Sequence, residues 1–182
     1  SPLSRVVVIV PNRVIENYLK LRLSERLGVA ANIDFPFLRA YLARLVNRTD
    51  PALSVLEIDD LEMLLFERLR AILRKPAAGF EAVRAYVHSG SGSKPDEEIR
   101  ALQLARQVAR MFHEYSISRR EMLKTWRTGT LLANSAFSTA ESWQRALWQS
   151  IFEHNAAVRK ELTAQAEVRR LLLPDAFDAI AE

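Results

Sequence analysis

The first feature of the pattern is an unbroken apolar run, Val6-Val7-Val8-Ile9-Val10, β-branched throughout and closed by Pro11. Such a run ending at a loop predicts a strand buried on both faces, as in a parallel sheet. The period then changes. Over residues 14–27, Ile15, Tyr18, Leu19, Leu23 and Leu27 fall on one helical stripe while Glu16, Lys20, Arg22 and Arg26 face away. Gly28 stands where a helix-terminating glycine is expected. Ile33-Asp34-Phe35 predicts a short second strand, and Pro36 sits near the first turn of a helix through Phe37, Leu38, Tyr41, Leu42, Leu45 and Val46. Strand, helix, strand, helix is the opening of a parallel α/β unit.

After Asp50-Pro51 the strand signals stop. Leu56 to Leu73 is amphipathic, with Ile58, Leu61, Leu65, Leu69 and Ile72 on one face and Asp59 and Asp60 in the first turn, where carboxylates suit the helix dipole. Phe80 to Val87 predicts a shorter helix. His88 to Pro95, rich in glycine and serine, reads as a flexible linker. A long helix is expected from Asp96 to Tyr115 with Ile99, Leu102, Val108, Met111, Phe112 and Tyr115 inward. Ser118-Arg119-Arg120-Glu121 has capping-box spacing and predicts the start of another helix carrying Met122, Leu123 and Trp126. Thr128 to Ser138 reads as loop, and Thr139 to about Leu162 as a further helix with Trp143, Leu147, Ile151 and Phe152. The expected fold is mainly α with a small parallel α/β start: a partial unit over 1–50 and a helical domain over 51–182, with the linker at 88–95.

Composition narrows the chemistry. The chain has 182 residues and no cysteine, which removes disulfides, thiolate metal sites and cysteine nucleophiles together. Val6 to Val10 is far short of a signal-peptide core or the roughly 20 residues of a membrane helix, so the pattern is that of a soluble chain with no membrane partner. The expected location is cytoplasmic. The formal charge of +4 is unevenly spread. Residues 1–48 hold eight basic residues (Arg5, Arg13, Lys20, Arg22, Arg26, Arg39, Arg44, Arg48) against three acidic ones (Glu16, Glu25, Asp34), which is +5 and leaves −1 for the rest. An anionic partner requires this kind of asymmetry, although ordinary domains also carry it.

Most catalytic constellations are absent. There is no G-x-x-x-x-G-K-[ST] loop, and five glycines leave little room for any Gly-rich phosphate cradle. His88, His113 and His154 are far apart, and His113-Glu114 lacks the second histidine of a zincin helix. Pro95-Asp96 and Pro174-Asp175 look superficially like nuclease motifs but lack the strand and the following E-x-K. No catalytic or metal site is therefore expected. Aromatic residues beside basic groups can stack on single-stranded bases. Phe112, Tyr115, Trp143 and Phe152 lie among aliphatics at helical spacing and read as core. Tyr18, Phe35, Phe37 and Tyr41 interleave with Arg13, Lys20, Arg22, Arg39 and Arg44, with core packing the better reading for Phe35 and Tyr41.

Two blocks carry a resemblance. Tyr18-Leu19 with Leu23, followed by Gly28-Val29-Ala30-Ala31-Asn32-Ile33-Asp34-Phe35-Pro36, resembles the amino-terminal region of the exodeoxyribonuclease V gamma chain, the RecC family. The order then continues through Met111-Phe112-His113-Glu114-Tyr115, Arg119, Trp126-Arg127-Thr128-Gly129 and Trp143-Gln144 to Leu147-Trp148. The similarity runs collinearly over residues 5–152 and is weakest through 50–100.

The resemblance implies the front of a much longer subunit shaped like a superfamily 1 helicase that has lost its ATPase motifs: a partial 1A-like α/β unit followed by a helical 1B-like body. Its implied partners are single-stranded and forked DNA, a beta-type helicase–nuclease and an alpha-type helicase. No cofactor is then expected in this chain, with ATP and Mg on the partner subunits, and the implied work is double-strand break repair by recombination. The family's strand-monitoring channel maps onto Pro11, Asn12, Arg13 and Asn17, onto Phe37, and onto Met111, His113 and Arg119. Only Arg119 has the residue type of members that recognise a regulatory sequence; Pro11, Arg13, Asn17 and His113 depart from it. A loop at a helix amino terminus offers backbone N–H groups and a guanidinium to a phosphate or base edge. Each position keeps a plainer alternative: Asn12 as a helix cap, Arg119 and Arg120 as solvated charge.

Overall fold

The computed structural model describes residues 5–29, 32–75, 78–89, 93–128, 138–165 and 167–181. Ala30 and Ala31 of the resemblance block, the glycines of the expected linker and residues 129–137 of the expected loop lie outside these. The chain divides into two units, Ser1–Pro51 and Ala52–Glu182.

In the first unit, β1 (Val6–Val7) pairs in parallel with β2 (Ile33–Asp34), Val6 opposite Ile33 and Val7 opposite Asp34. The Val8 amide donates to the Asp34 carbonyl (2.9 Å), the Val10 amide to the Pro36 carbonyl (3.1 Å), and Val10 bridges to Phe37, so the pairing continues to the end of the apolar run. Two helices follow the strands, α1 (Arg13–Leu27) and α2 (Leu38–Thr49). At the end of α1 the amide of Gly28 donates to the Ser24 carbonyl with φ of 72°, the left-handed conformation that glycine takes without a Cβ clash. The expectation of a strand buried on both faces fails. Val10 is buried, but Val6, Val7 and Ile9 are exposed, because among the described residues β1 has one neighbouring strand, and no layer covers both of its faces. Likewise none of the α1 side chains is buried.

The second unit is mainly helical. Here α3 (Ile58–Arg74) buries Leu61, Leu65 and Leu69, as the pattern predicts, and packs along α5 (Lys94–Ser118). The contact face of α5 differs from the expected one. Ala101, Ala105, Val108, Ala109, Phe112 and Ser116 are buried whereas Ile99 is 54% exposed, since small side chains let the two helices approach closely and the bulky Ile99 lies off that face. Between them in sequence, α4 (Glu81–His88) buries Val83 and Val87 and packs on α5. The expected linker is structured at both ends: His88 belongs to α4 and pairs with Glu97 (2.7 Å), and the Ser93 hydroxyl caps α5 by accepting the Asp96 amide.

Three further expectations are corrected. The Ser118 capping box does not form. Helix α5 runs through Ser118, whose hydroxyl donates back to the Glu114 carbonyl (2.8 Å) and is therefore not a cap for α6 (Arg120–Thr128). The last predicted helix ends early, as α7 (Ser138–Ile151). Beyond it Phe152 bridges antiparallel to Val158, Ala156 takes φ of 62°, and the Asn155 side chain accepts the Ala157 amide, so a turn reverses the chain. Strands also continue after Pro51: β3 (Leu53–Val55) pairs in parallel with β4 (Arg169–Leu171), which leads into α8 (Leu173–Ala181). A three-residue strand has too few positions for alternation to show, and Arg169-Arg170-Leu171 is made a strand by a partner far away in sequence.

The core of this unit is an aromatic cluster. Phe112 meets Trp148 edge to face at 5.1 Å and Trp126 at 6.3 Å, Tyr115 meets Trp126 at 6.1 Å, and Trp148 lies 4.1 Å from Phe152 between ring centres. Leu65, Leu69, Leu147 and Ile151 close around it. Among the described residues no helix is long and apolar enough to cross a membrane.

Candidate nucleic-acid interface

Both loops at the carboxyl ends of β1 and β2 lie at one edge of the parallel pair, where open α/β sheets place their ligands. The bridge from Val10 to Phe37 sets the turn into α2 beside the exit that carries Pro11, Asn12 and Arg13. Asn12 is the N-cap of α1: its backbone is extended and its Oδ1 accepts the Ile15 amide at 3.0 Å. The plain reading of Asn12 is thus realised, with its acceptor occupied by the helix. Asn12→Ala is expected to cost α1 about 1 kcal/mol, with Asn12→Ser near neutral. Amide exchange along residues 13–27 reads this out, and equal protection in both variants would remove the capping role.

Arg13 is the first residue of α1 and is exposed. Its side chain makes no hydrogen bond or ion pair among the described residues. Asn17 lies one turn on, on the same side of the helix, and Phe37, half-exposed, starts α2. The structure therefore brings Asn12, Arg13 and Phe37 to one edge, with Asn17 a turn below.

Much of the surrounding charge is already paired. Lys20 bonds Glu16 (2.6 Å), Arg22 bonds Glu25 (3.0 Å), and Arg5 and Arg44 both bond Asp34. Like Arg13, Arg26 and Arg48 have no acidic partner among the described residues, so the excess of the basic segment narrows to a few guanidiniums. Desolvation pushes the Asp34 carboxyl up, but the hydrogen bonds from Arg44 and Arg5 outweigh it and hold the group below the usual carboxylate range. The aromatic residues separate too. Phe35 is buried with the Lys20 ammonium 5.8 Å from its ring, and exposed Tyr18 is covered by Arg22 at 5.6 Å. Tyr41 was expected in the core but lines an open pocket beside Arg44.

In the helical unit, Met111 packs against the aromatic core and shares a side of α5 with Tyr115. His113, two positions on, points roughly 200° around the helix, so Met111 and His113 do not form one site. The Ser116 hydroxyl donates to the His113 carbonyl (2.6 Å). Arg119 caps α5, its amide donating to the Tyr115 carbonyl and its exposed guanidinium lying 6.0 Å over the Tyr115 ring. Arg120 differs in being tied to Asp178 of α8. Arg119 is therefore the cation of this pair left for a ligand, while Met111 is held as packing. Lys94, His88 and Glu97 border another pocket, of about 390 Å³, that no sequence motif marks.

Comparison with known proteins adds a family. The family described as RecC, N-terminal domain, matches residues 1–180. The chain is 26% identical over 157 residues to the RecBCD enzyme subunit RecC of Escherichia coli K12, covering 85% of this chain and 13% of that one. It is 28% identical over 165 residues to RecC of Mycolicibacterium smegmatis (84% and 13%), and 22% identical over 192 residues to RecC of Haemophilus influenzae (95% and 17%). The chain thus spans less than a fifth of the length of these relatives.

Proposed function

The chain belongs to the RecC family through its amino-terminal domain, and on that premise we propose that it is a non-catalytic, DNA-guiding scaffold region of a gamma subunit. The assembly is an ATP-dependent exodeoxyribonuclease V of the RecBCD type, acting in double-strand break repair by homologous recombination and monitoring a regulatory single-strand sequence. The parallel unit is then a remnant of a superfamily 1 helicase 1A domain and the helical unit its 1B counterpart. ATP and Mg act on the partner helicase–nuclease and helicase subunits in the cytoplasm.

One observation carries this reading. Arg13, without an acidic partner among the described residues, stands on the first turn of an Asn12-capped helix beside Phe37, at the carboxyl edge of a parallel strand pair. Helix N–H groups, a guanidinium and an aromatic ring are the parts a single strand needs for phosphate contact and stacking. The alternative is a helical docking domain for a partner helicase with no DNA contact. It is supported by Met63, Ile99 and Ile117, which the helical unit leaves exposed.

A salt series separates the two. Single-stranded DNA affinity of the chain is expected to fall with salt on a log–log slope of about −0.7 per phosphate contacted. Arg13→Ala and Arg119→Ala each reduce that slope by about 0.7. Undetectable binding at low salt, or a flat slope, defeats the DNA-guiding reading and leaves the docking one.

A further inference from the structure

Asp34 is the last residue of β2, and its two guanidinium partners bond the same oxygen: Arg5 Nη2 reaches Oδ2 at 2.8 Å and Arg44 Nη1 reaches it at 3.1 Å. Oδ1 takes no hydrogen bond among the described residues. The two bonds orient the carboxylate and leave one lone-pair face open. Beside it lies a pocket of about 200 Å³ with an apolar wall of Val7, Tyr41 and Leu45 and a basic rim of Arg5, Arg44 and Arg48. Three guanidiniums face one carboxylate, so the lining carries a net positive charge.

These features constrain the ligand. The apolar wall with one ring accepts a flat face. Oδ1 is an acceptor only, so the edge of the ligand that meets it must donate. The rim requires negative charge at the ligand's other end. An aliphatic carboxylate satisfies the rim but brings neither a flat face for the wall nor a donor edge for Oδ1. A nucleotide whose base bears an exocyclic amino group satisfies all three requirements. Cytosine presents its N4 amine to such a carboxylate, whereas thymine presents a carbonyl and a methyl group there and sets acceptor against acceptor.

We infer that the Asp34 pocket of the α/β unit reads bases of single-stranded DNA, accepting a cytosine-type amino group at Asp34 Oδ1 with the ring on Tyr41 and the phosphate on Arg48 and Arg44. This inference rests on the DNA-guiding reading and adds to it residues outside the channel positions. It also gives Asp34 a second role besides its ion pairs, since a carboxylate already neutralised by two arginines can face a base without repelling the neighbouring phosphate.

The test is fluorescence anisotropy of the 182-residue chain with labelled oligo-dC and oligo-dT of equal length at low salt. Oligo-dC is expected to bind about tenfold more tightly than oligo-dT. Asp34→Asn, whose amide can also donate, brings the ratio to about one or inverts it. Tyr41→Ala weakens both oligonucleotides about tenfold but leaves oligo-dC the tighter ligand, and Tyr41→Phe restores the affinity. Variant folding is read separately from the far-UV spectrum, and the dC to dT ratio is insensitive to the fraction folded. Equal binding of the two oligonucleotides by the unaltered chain overturns the base-reading role while leaving DNA guidance standing. A preference for oligo-dC that survives in Asp34→Asn also overturns it. Absence of binding to either overturns both readings.

Discussion

Truncating Trp126 to alanine is expected to cost the helical unit about 3–5 kcal/mol, the range for removing a buried aromatic side chain from a core. Trp126 is fully buried in α6 and is touched on several sides: Phe112 at 6.3 Å, Tyr115 at 6.1 Å and Trp148 at 6.4 Å between ring centres, all inclined steeply to its plane. Its indole N–H also donates to Glu141 at 3.1 Å, and Glu141 is itself buried at the first turn of α7. Alanine opens a cavity between helices of different sequence position and removes a donor from a buried carboxylate. Trp126→Phe gives an intermediate case, since it keeps much of the aromatic volume while losing the N–H and part of the bicycle, at about 1–3 kcal/mol. Urea unfolding followed by helical signal gives both values, with the midpoint moving and the slope unchanged. A loss below about 1 kcal/mol for the alanine variant would show that the cluster is not what holds α6 in place.

Removing Asp175 is expected to destabilise the same unit by about 2–4 kcal/mol, while removing Asp178 costs at most about 1 kcal/mol. Both aspartates lie on α8 and both pair with arginines of α6: Arg127 Nη2 with Asp175 at 2.7 Å, and Arg120 with Asp178. Their surroundings decide the difference. The side chains of Arg127 and Asp175 are 20% and 12% exposed, so Asp175→Ala strands a desolvated guanidinium. Arg120 and Asp178 reach water, which replaces the lost partner. Thermal unfolding of the two single variants checks the contrast, and equal losses would mean that burial does not separate the two rungs. Pro174-Asp175, which reads along the sequence as a possible fragment of a metal motif, is in the structure the anchor of the last helix.

The long amphipathic segments were legible in the sequence because the period that aligns their apolar side chains is set by residues a few positions apart. Leu61, Leu65 and Leu69 recur at the helical period, and any folded chain must turn that stripe inward. Gly28 after an apolar stripe and Asn12 before it mark the ends of α1 by rules that act within a few residues. The same holds for part of the candidate interface. Arg13 at a helix start follows from the element boundary, and the basic excess of the first 48 residues is arithmetic. Arg119, expected in a capping box that opens a helix, instead ends α5. Elements decided by distant chain were not legible. Ser118 had the spacing of a cap, but α5 continued through it because Ser116 and Phe112 are anchored in a core shared with other elements. Helix α7 stopped at Ile151 because residues 152–158 turn back to lie against β4.

By itself, then, the sequence determined a mainly helical chain with a parallel strand–helix opening, its concentrated positive charge, its lack of a phosphate loop and the motif order shared with RecC. Those properties depend on residue type, spacing and period, which are local. The tertiary structure alone decided the pairing of Leu53–Val55 with Arg169–Leu171, the alanine-lined contact of α3 with α5 and the exposure of β1. It also decided that Tyr41 faces an open pocket beside an oriented carboxylate instead of a core. Burial and hydrogen-bond direction are set by which remote segments arrive at a surface, and no period in the chain encodes that arrival.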